Sequence, residues 1–410
     1  MSPSLLFRLS ALGALLVPAG TLSAQSATDD SDLFSPDEQV LRIGDGDTNI
    51  TFAPFLQLDG GRVWLDPGED DLQGETALAR LYVFGKAGDF SGTLAYDFES
   101  DVLRYAFVGY AVNDRLTIQV GQQDEPFSLQ DYSGSRFLPF AASGQSAALI
   151  PGDNLGAAAL YGGEDHSLAI GVFGGTAANG YGDNGTAITG RATWAPIYSQ
   201  NEIERRGDAT QNGTGTQRVD DLLHLGLGLS ARFDIADPIS FSGGGGSSLV
   251  AISLSSTPLI SDVDSLLRAN LEISRQIGSL SLQAEITAAR VNAPAVEGTA
   301  TGGYVYATYF LTGERRGYSR SSGTFGRVIP IDPIDEGGFG AIEVGGRLDY
   351  IDLTDLGPGS GAQWGATAVV NAYLTKRVTL TADYSHTRTV AGPDDGLTSD
   401  AVTLRFQFAY

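Results

Sequence analysis

From residue 51 onward, apolar and polar side chains alternate with a period of two, as in a strand with two unlike faces. In "LLHLGLGLSARF", Leu223, Leu225, Leu227, Leu229 and Ala231 share one face, while His224, Gly226, Gly228, Ser230 and Arg232 share the other. The segment "DAVTLRFQFAY" repeats the design. There Val402, Leu404, Phe406, Phe408 and Tyr410 oppose Thr403, Arg405 and Gln407. "LTIQV" and "SLAIGVF" alternate as well. Each segment is about ten residues long, the length a tilted strand needs to cross a bilayer. They begin near residues 51, 75, 91, 103, 115, 155, 166, 185, 222, 265, 279, 303, 340, 361, 376 and 400. The run "SSLVAISLS" over 247–255 is assigned to a loop. The pattern predicts an all-β fold: a 16-stranded antiparallel transmembrane β-barrel over residues 51–410.

The chain start has a different character. Arg8 is followed by the apolar run "LSALGALLVPAGTLSA". This reads as a signal peptide over residues 1–24, cut after Ala24, and the run is too short to span a membrane as a helix. Residues 25–50 are polar and acidic and are expected to form a flexible N-terminal segment. Within it Asp45, Asp47 and Asn49 have the spacing of a calcium loop. Ile50 and Leu56 stand where that loop needs Gly and Glu, so a turn is expected. Export and membrane-crossing strands together predict the outer membrane, with its lipid and lipopolysaccharide as surroundings. An even strand number then puts both ends on the periplasmic side. The turns at "AGDF", "ND", "GGED" and "LTKR" fall there, and two connections near 197–221 and 313–339 come out too long.

Composition agrees. There is no cysteine, and Gly (54), Tyr (16) and Phe (19) are common, as many turns and aromatic girdles require. A net charge of -24 excludes a nucleic-acid partner. The acids are expected mainly in solvated loops, where they could also hold divalent cations beside lipopolysaccharide. His166, His224 and His386 are scattered, without metal-ligand spacing. No nucleophile elbow or P-loop occurs, and "GGGG" at 243–246 reads as a flexible loop. No catalytic residue, metal or cofactor is predicted.

A barrel of this size encloses water. Alternation turns Arg80, Lys86, Arg191, Arg232, Arg347 and Arg405 inward, with Asp97, Glu99, Glu285, Glu343, Asp349 and Asp383. Each arginine either guides anions or pairs with an inward carboxylate. The third external connection, residues 125–154, carries Phe127, Leu129, Phe137, Leu138, Phe140 and Leu149. So apolar a loop must bury somewhere. We expect it to fold into the barrel as a constriction loop with Arg136 near the narrowest point; the alternative is packing on a neighbouring subunit.

At this loop the chain resembles a known family. "VGQQDEPFSLQDYSGSRF" and the preceding "YDFESDVLRYAFVGY" are similar to segments of the phosphate-selective porins O and P. So are "YFLTGERRGYSRSSGTFGRVIP" at 309–330, "GAIEVGGRLDYIDLTD" and "NAYLTKRVTLTADYSH". The resemblance covers roughly residues 51–410. It implies a homotrimer of barrels passing small anions such as phosphate by passive diffusion, with Arg80, Lys86 and Arg136 drawing the anion inward. Two features depart from it. Asp124, followed by Glu125, stands where the family carries a basic residue, which puts acid at the expected constriction. Only Lys86 and Lys376 are lysines among 25 basic residues. The alternatives are a general or cation-leaning porin, or a plugged structural or adhesive barrel.

Overall fold

A computed structural model describes residues 41–66, 68, 70–176, 184–203, 216–250 and 252–410. The expected signal peptide and most of the expected flexible segment lie outside the described residues. Sixteen strands form one closed antiparallel barrel. They are β1 (Thr48–Asp66), β2 (Asp70–Ala87), β3 (Phe90–Asp97), β4 (Val102–Asn113), β5 (Leu116–Asp124), β6 (Asp153–Gly162), β7 (His166–Phe173) and β8 (Thr186–Ile203). The second half is β9 (Thr216–Ile235), β10 (Val263–Ile277), β11 (Leu280–Ala293), β12 (Val296–Phe310), β13 (Ala341–Asp352), β14 (Ala362–Tyr373), β15 (Val378–Ala391) and β16 (Thr398–Ala409). Each strand pairs with the next, and β16 pairs with β1 from Phe55↔Ala409 to Asp66↔Thr398. Closure leaves no wall edge facing hydrocarbon, where an unpaired N–H would cost several kcal/mol.

Alternation sorts the faces. Leu168, Ile170 and Val172 of β7 are about half exposed to what would be lipid, while Ser167 and Phe173 turn inward and are buried. On β9, His224, Ser230 and Arg232 are buried and Leu227, Leu229 and Phe233 are exposed, as the pattern predicts. The clearest offset is β12, which starts at Val296 rather than near 303. Its first residues, "VEGTATG", lack the large apolar side chains that mark lipid contact.

Residues 41–50 are a correction to the loose segment. Leu41–Asp45 forms a hairpin with Thr48–Phe52 of β1, on the edge β1 offers beyond the last residue of β16. The calcium-like spacing makes its turn: Gly46 has φ 53°, and Asn49 Nδ2 donates to the Gly46 carbonyl at 3.0 Å.

Three connections fill part of the lumen. The constriction loop, 125–152, carries a short helix α1 (Leu129–Ser133), whose N-terminus is capped by Ser128 Oγ accepting from Asp131 N at 3.2 Å. Phe127, Leu129, Phe140 and Leu149 are buried against the inner wall, so this loop packs in its own barrel. The connection 236–262 also folds inward. Leu249 packs on Val63 and Ala401, and the Gly244 carbonyl accepts from Gln145 and Gln363 at 2.9 and 2.7 Å. The GGGG segment is thus fastened to the wall. The third segment, 311–340, explains one over-long periplasmic connection. It is not a turn in water but climbs into the barrel, and Phe325 N donates to Ser133 Oγ of α1 at 3.1 Å. The other over-long connection shortens to 204–215, which lies outside the described residues.

Glycine decides how closely the constriction loop approaches. A Cβ at Gly228 would overlap the carbonyl oxygen of Phe127. Gly228→Val should unseat the loop at a cost of about 1–3 kcal/mol, the usual size of overpacking. Refolded protein should then show a larger single-channel conductance and a lower unfolding temperature in detergent; an unchanged conductance would show that this contact does not hold the loop.

Candidate functional site: a constriction of mixed charge

The constriction loop and the 311–340 insert meet at Ser133 and leave the lumen open along the β2–β8 wall. There they bound a cavity of about 340 Å³. Its wall side is aromatic: Tyr82 and Phe84 of β2 stack at 5.7 Å, and Tyr82 lies 6.2 Å from Tyr105 of β4. Its loop side is hydroxylic, with Ser133 and Ser135 on one loop and Ser319, Ser321 and Ser322 on the insert.

Charged groups of both signs line it. Arg80 donates to Asp97 and to Tyr82 Oη, both at 3.0 Å. Arg104 pairs with Asp153 at 2.9 Å. Arg191 grips Glu272 through Nε and Nη2 at 2.9 and 2.8 Å and donates to the carbonyls of Ser322 and Gly323, fastening the insert. Arg136 has no carboxylate partner among the described residues; its guanidinium lies over the rings of Tyr82 and Phe137, 5.1 and 4.9 Å from their centroids. Asp124 accepts from Tyr105 Oη at 2.7 Å and sits opposite Asp153 in the strand register. Asp131 of α1 completes the acidic side. Burial and then the like charge of Asp153 push its carboxyl up to about 7, with Arg104 opposing.

The expected site residues therefore divide. Arg80, Arg136, Arg191 and Asp124 line the cavity. Lys86 lies near the turn at Gly88, opposite Ser91, away from it. For the other arginines the geometry matches the pairing alternative rather than an open pore-lining place. Arg232, Arg347 and Arg405 point inward but are covered by loops and paired. Arg232 bonds Glu125 and the carbonyls of Gly174 and Asn184, and Arg347 bonds Asp349 and the Ala142 carbonyl. Arg405 grips Asp59 through two bonds of 2.6 Å. Glu125 is not a constriction acid: it is fully buried, held by Arg232, Thr189 and Asn154. Glu99 sits in the turn after β3 rather than in the lumen wall. Glu285 and Asp383 face inward as acceptors for loop amides: Glu285 takes Leu129 N and Gln130 N, and Asp383 takes Ala141 N.

Alternation missed Arg104, Asp131 and Asp153. Arg104 is the extra residue of a bulge, since Ala95 faces Tyr105 while Tyr96 faces Leu103. Strict period two would send it to lipid. Asp131 lies on a helical turn, where a strand period says nothing.

A closed polar-lined barrel with infolded loops defines the class: an outer-membrane porin. The phosphate-selective porin O and P family model matches residues 67–410, and the chain belongs to that family. A protein of Caulobacter vibrioides, named only as uncharacterized, is 27% identical over 347 residues. That match takes in 78% of this chain and 64% of the relative, so the chain spans less than two thirds of that relative's length. Among solved structures, OmpT of Vibrio cholerae, an outer membrane protein, matches 90% of this chain and 100% of its own with a TM-score of 0.53 at 12% identity. The anion-selective porin of Comamonas acidovorans matches over 88% and 100%, with a TM-score of 0.53 at 12% identity. The outer membrane channel DcaP of Acinetobacter baumannii matches over 90% and 99%, with a TM-score of 0.52 at 10% identity. Identities this low speak for the fold alone.

Glu285→Ala removes the acceptor of two buried amides, each about 1–3 kcal/mol when left unpaired. The helix α1 should leave its seat, and single-channel recordings should show larger and noisier currents than wild type. Quiet wild-type currents would mean that α1 is held by its apolar contacts instead.

Proposed function

We propose that the protein is a passive diffusion channel for small hydrophilic solutes with weak ionic selectivity, rather than a strongly phosphate-selective one. The observation that carries this reading is the pairing of the cavity's cations. Arg80, Arg104 and Arg191 are each matched by a carboxylate, and Arg136 alone stands against Asp124 and Asp131. A paired arginine presents a dipole rather than a net charge to a passing ion. Asp124, where the family carries a basic residue, works in the same direction.

An anion-preferring channel is the second reading. It is favoured by a cationic group of Arg136, Arg327, Lys376 and Arg377 around one small crevice. The anion-selective Comamonas porin shares the fold. Nothing in either reading calls for catalysis or a cofactor. Assembly as a homotrimer is part of the proposal, supported by the trimer form of the Vibrio OmpT structure. So is delivery by the expected signal peptide.

The zero-current potential under a potassium chloride gradient separates the readings. Weak selectivity predicts a potential near zero and little block of chloride current by added phosphate. A strongly anion-selective potential with phosphate block would favour the second reading, and absence of channels would return the plugged barrel. The sign of the pH effect follows from Asp131. Below pH about 7 its carboxyl is neutral and the constriction is more positive, while above that value it adds a negative charge. The chloride-to-potassium permeability ratio should therefore fall as pH rises from 6 to 8, an interval chosen to bracket about 7. Asp131→Asn should flatten that dependence, and Arg136→Ala should shift the potential toward cations at every pH.

A further inference from the structure

The two signs of charge in the constriction are not mixed at random. The acids come from one side. Asp124 ends β5, Asp153 opens β6, and Asp131 reaches them from α1. Arg104 is the one arginine paired among these three carboxylates. The unmatched cation comes from the other side. Arg136 is placed by Gln407 of β16, whose Nε2 donates to its carbonyl at 3.2 Å, and its guanidinium rests on Tyr82 of β2. Behind it stands Arg327 of the insert, which donates to the Ala409 carbonyl at 3.2 Å.

Between the two sides lies the aromatic wall. The path runs from the Arg136 guanidinium to the Tyr82 ring at 5.1 Å, on to Tyr105 at 6.2 Å, and through its hydroxyl to Asp124 at 2.7 Å. Asp124 lies three strands around the wall from Tyr82, about 14 Å at the usual strand spacing. Among the described residues no ion pair joins Arg136 to Asp124, Asp131 or Asp153, so the opposite poles do not quench each other by direct contact.

Two loop residues sense opposite fields. Burial and then the like charges of Arg136 and Arg377 pull Arg327 down to about 10 on the cationic side. Asp131 is pushed up on the acidic side, as described above. Like charges therefore stand beside one another on each side, Arg136 and Arg377 by Arg327 and Asp153 by Asp131.

We infer that the cavity is built to orient a zwitterionic solute with an apolar body, of the size of a short peptide, its carboxylate toward Arg136 and its ammonium toward Asp124 and Asp131. The body slides over Tyr82, Phe84 and Tyr105. A net anion meets the aspartates, and a net cation meets Arg136, so each is disfavoured at one pole while the zwitterion is matched at both. This inference rests on the channel reading of the preceding section and names a solute class for it.

Three probes of one body test it: glycylphenylalanine, its N-acetyl derivative (an anion) and its C-terminal amide (a cation). Release of each from preloaded proteoliposomes is followed by chromatography at pH 7.5. The zwitterion should leave about fivefold faster than either capped form, the size two screened ion pairs supply together. The Asp124→Asn/Asp131→Asn pair should remove its advantage over the anion, and Arg136→Gln its advantage over the cation. Heat-modifiable migration on gels shows independently that each variant has folded, and if the double variant fails that check, Arg136→Gln alone decides. A rate order that follows net charge, or equal rates for the three, overturns the inference. Swelling of wild-type liposomes in arabinose is read first. Without swelling the channel reading falls and the inference with it; with swelling but no zwitterion preference, the inference alone falls.

Discussion

A wall in hydrocarbon must give every backbone N–H a partner, and the pairing of β16 with β1 is what meets that demand here. Everything else follows from closure. Once the sheet is a ring, one face of each strand belongs to lipid and can be spent on Leu, Ile, Val and aromatic side chains. The other face looks into water and is free to carry charge. Sixteen strands make that interior wider than a selective channel needs. Among the described residues three connections narrow it, two entering from one rim and one from the rim where β1 begins and β16 ends.

Holding irregular backbone inside a barrel raises a second satisfaction problem, and the inward carboxylates solve it. Glu285 and Asp383 accept amides of the constriction loop, Glu272 ties Arg191 to His224, and Asp59 holds Arg405. His224 in turn meets Tyr318 of the insert at 2.7 Å. Removing one member of a buried pair leaves a charge without compensation, typically at 3–5 kcal/mol. Part of the chain's acidity is therefore structural. Composition alone assigned it to solvated loops, because a count of carboxylates carries no information on which of them face a loop amide.

Legibility in the sequence follows the same division. Strand positions and inward faces could be read because lipid enforces a strict period of two: His224, Ser230, Arg232 and Thr403 all turn inward as that period requires. The apolar content of residues 125–152 announced an infolded loop for the same reason, since Phe127 and Leu149 need cover. The roles of the inward arginines could not be read. Whether Arg232 guides a solute or anchors Glu125 depends on a residue 107 positions away, brought near only by tertiary register. Arg104 escaped because a bulge breaks the period locally. The two departures from the family, by contrast, were visible at once as residue types, and Asp124 proves to line the cavity.

These facts place selectivity on the loops rather than the wall. Wall arginines at the cavity are balanced within the barrel by Asp97, Asp153 and Glu272, so apart from Asp124 the wall contributes an aromatic surface and little net field. The charges left over are Asp124 at the end of β5 and, on the constriction loop, Arg136 and Asp131, five residues apart and facing opposite sides of the opening. The loop backbone is pinned by wall carboxylates that touch neither side chain. Substitution at 131 or 136 thus changes a charge at the opening and leaves the carboxylate contacts of the loop backbone in place, whereas substitution at Glu285 removes two of those contacts. A family can in this way hold one scaffold constant and vary what passes through it, because the groups that stabilise the constriction and the groups that read the solute are different residues.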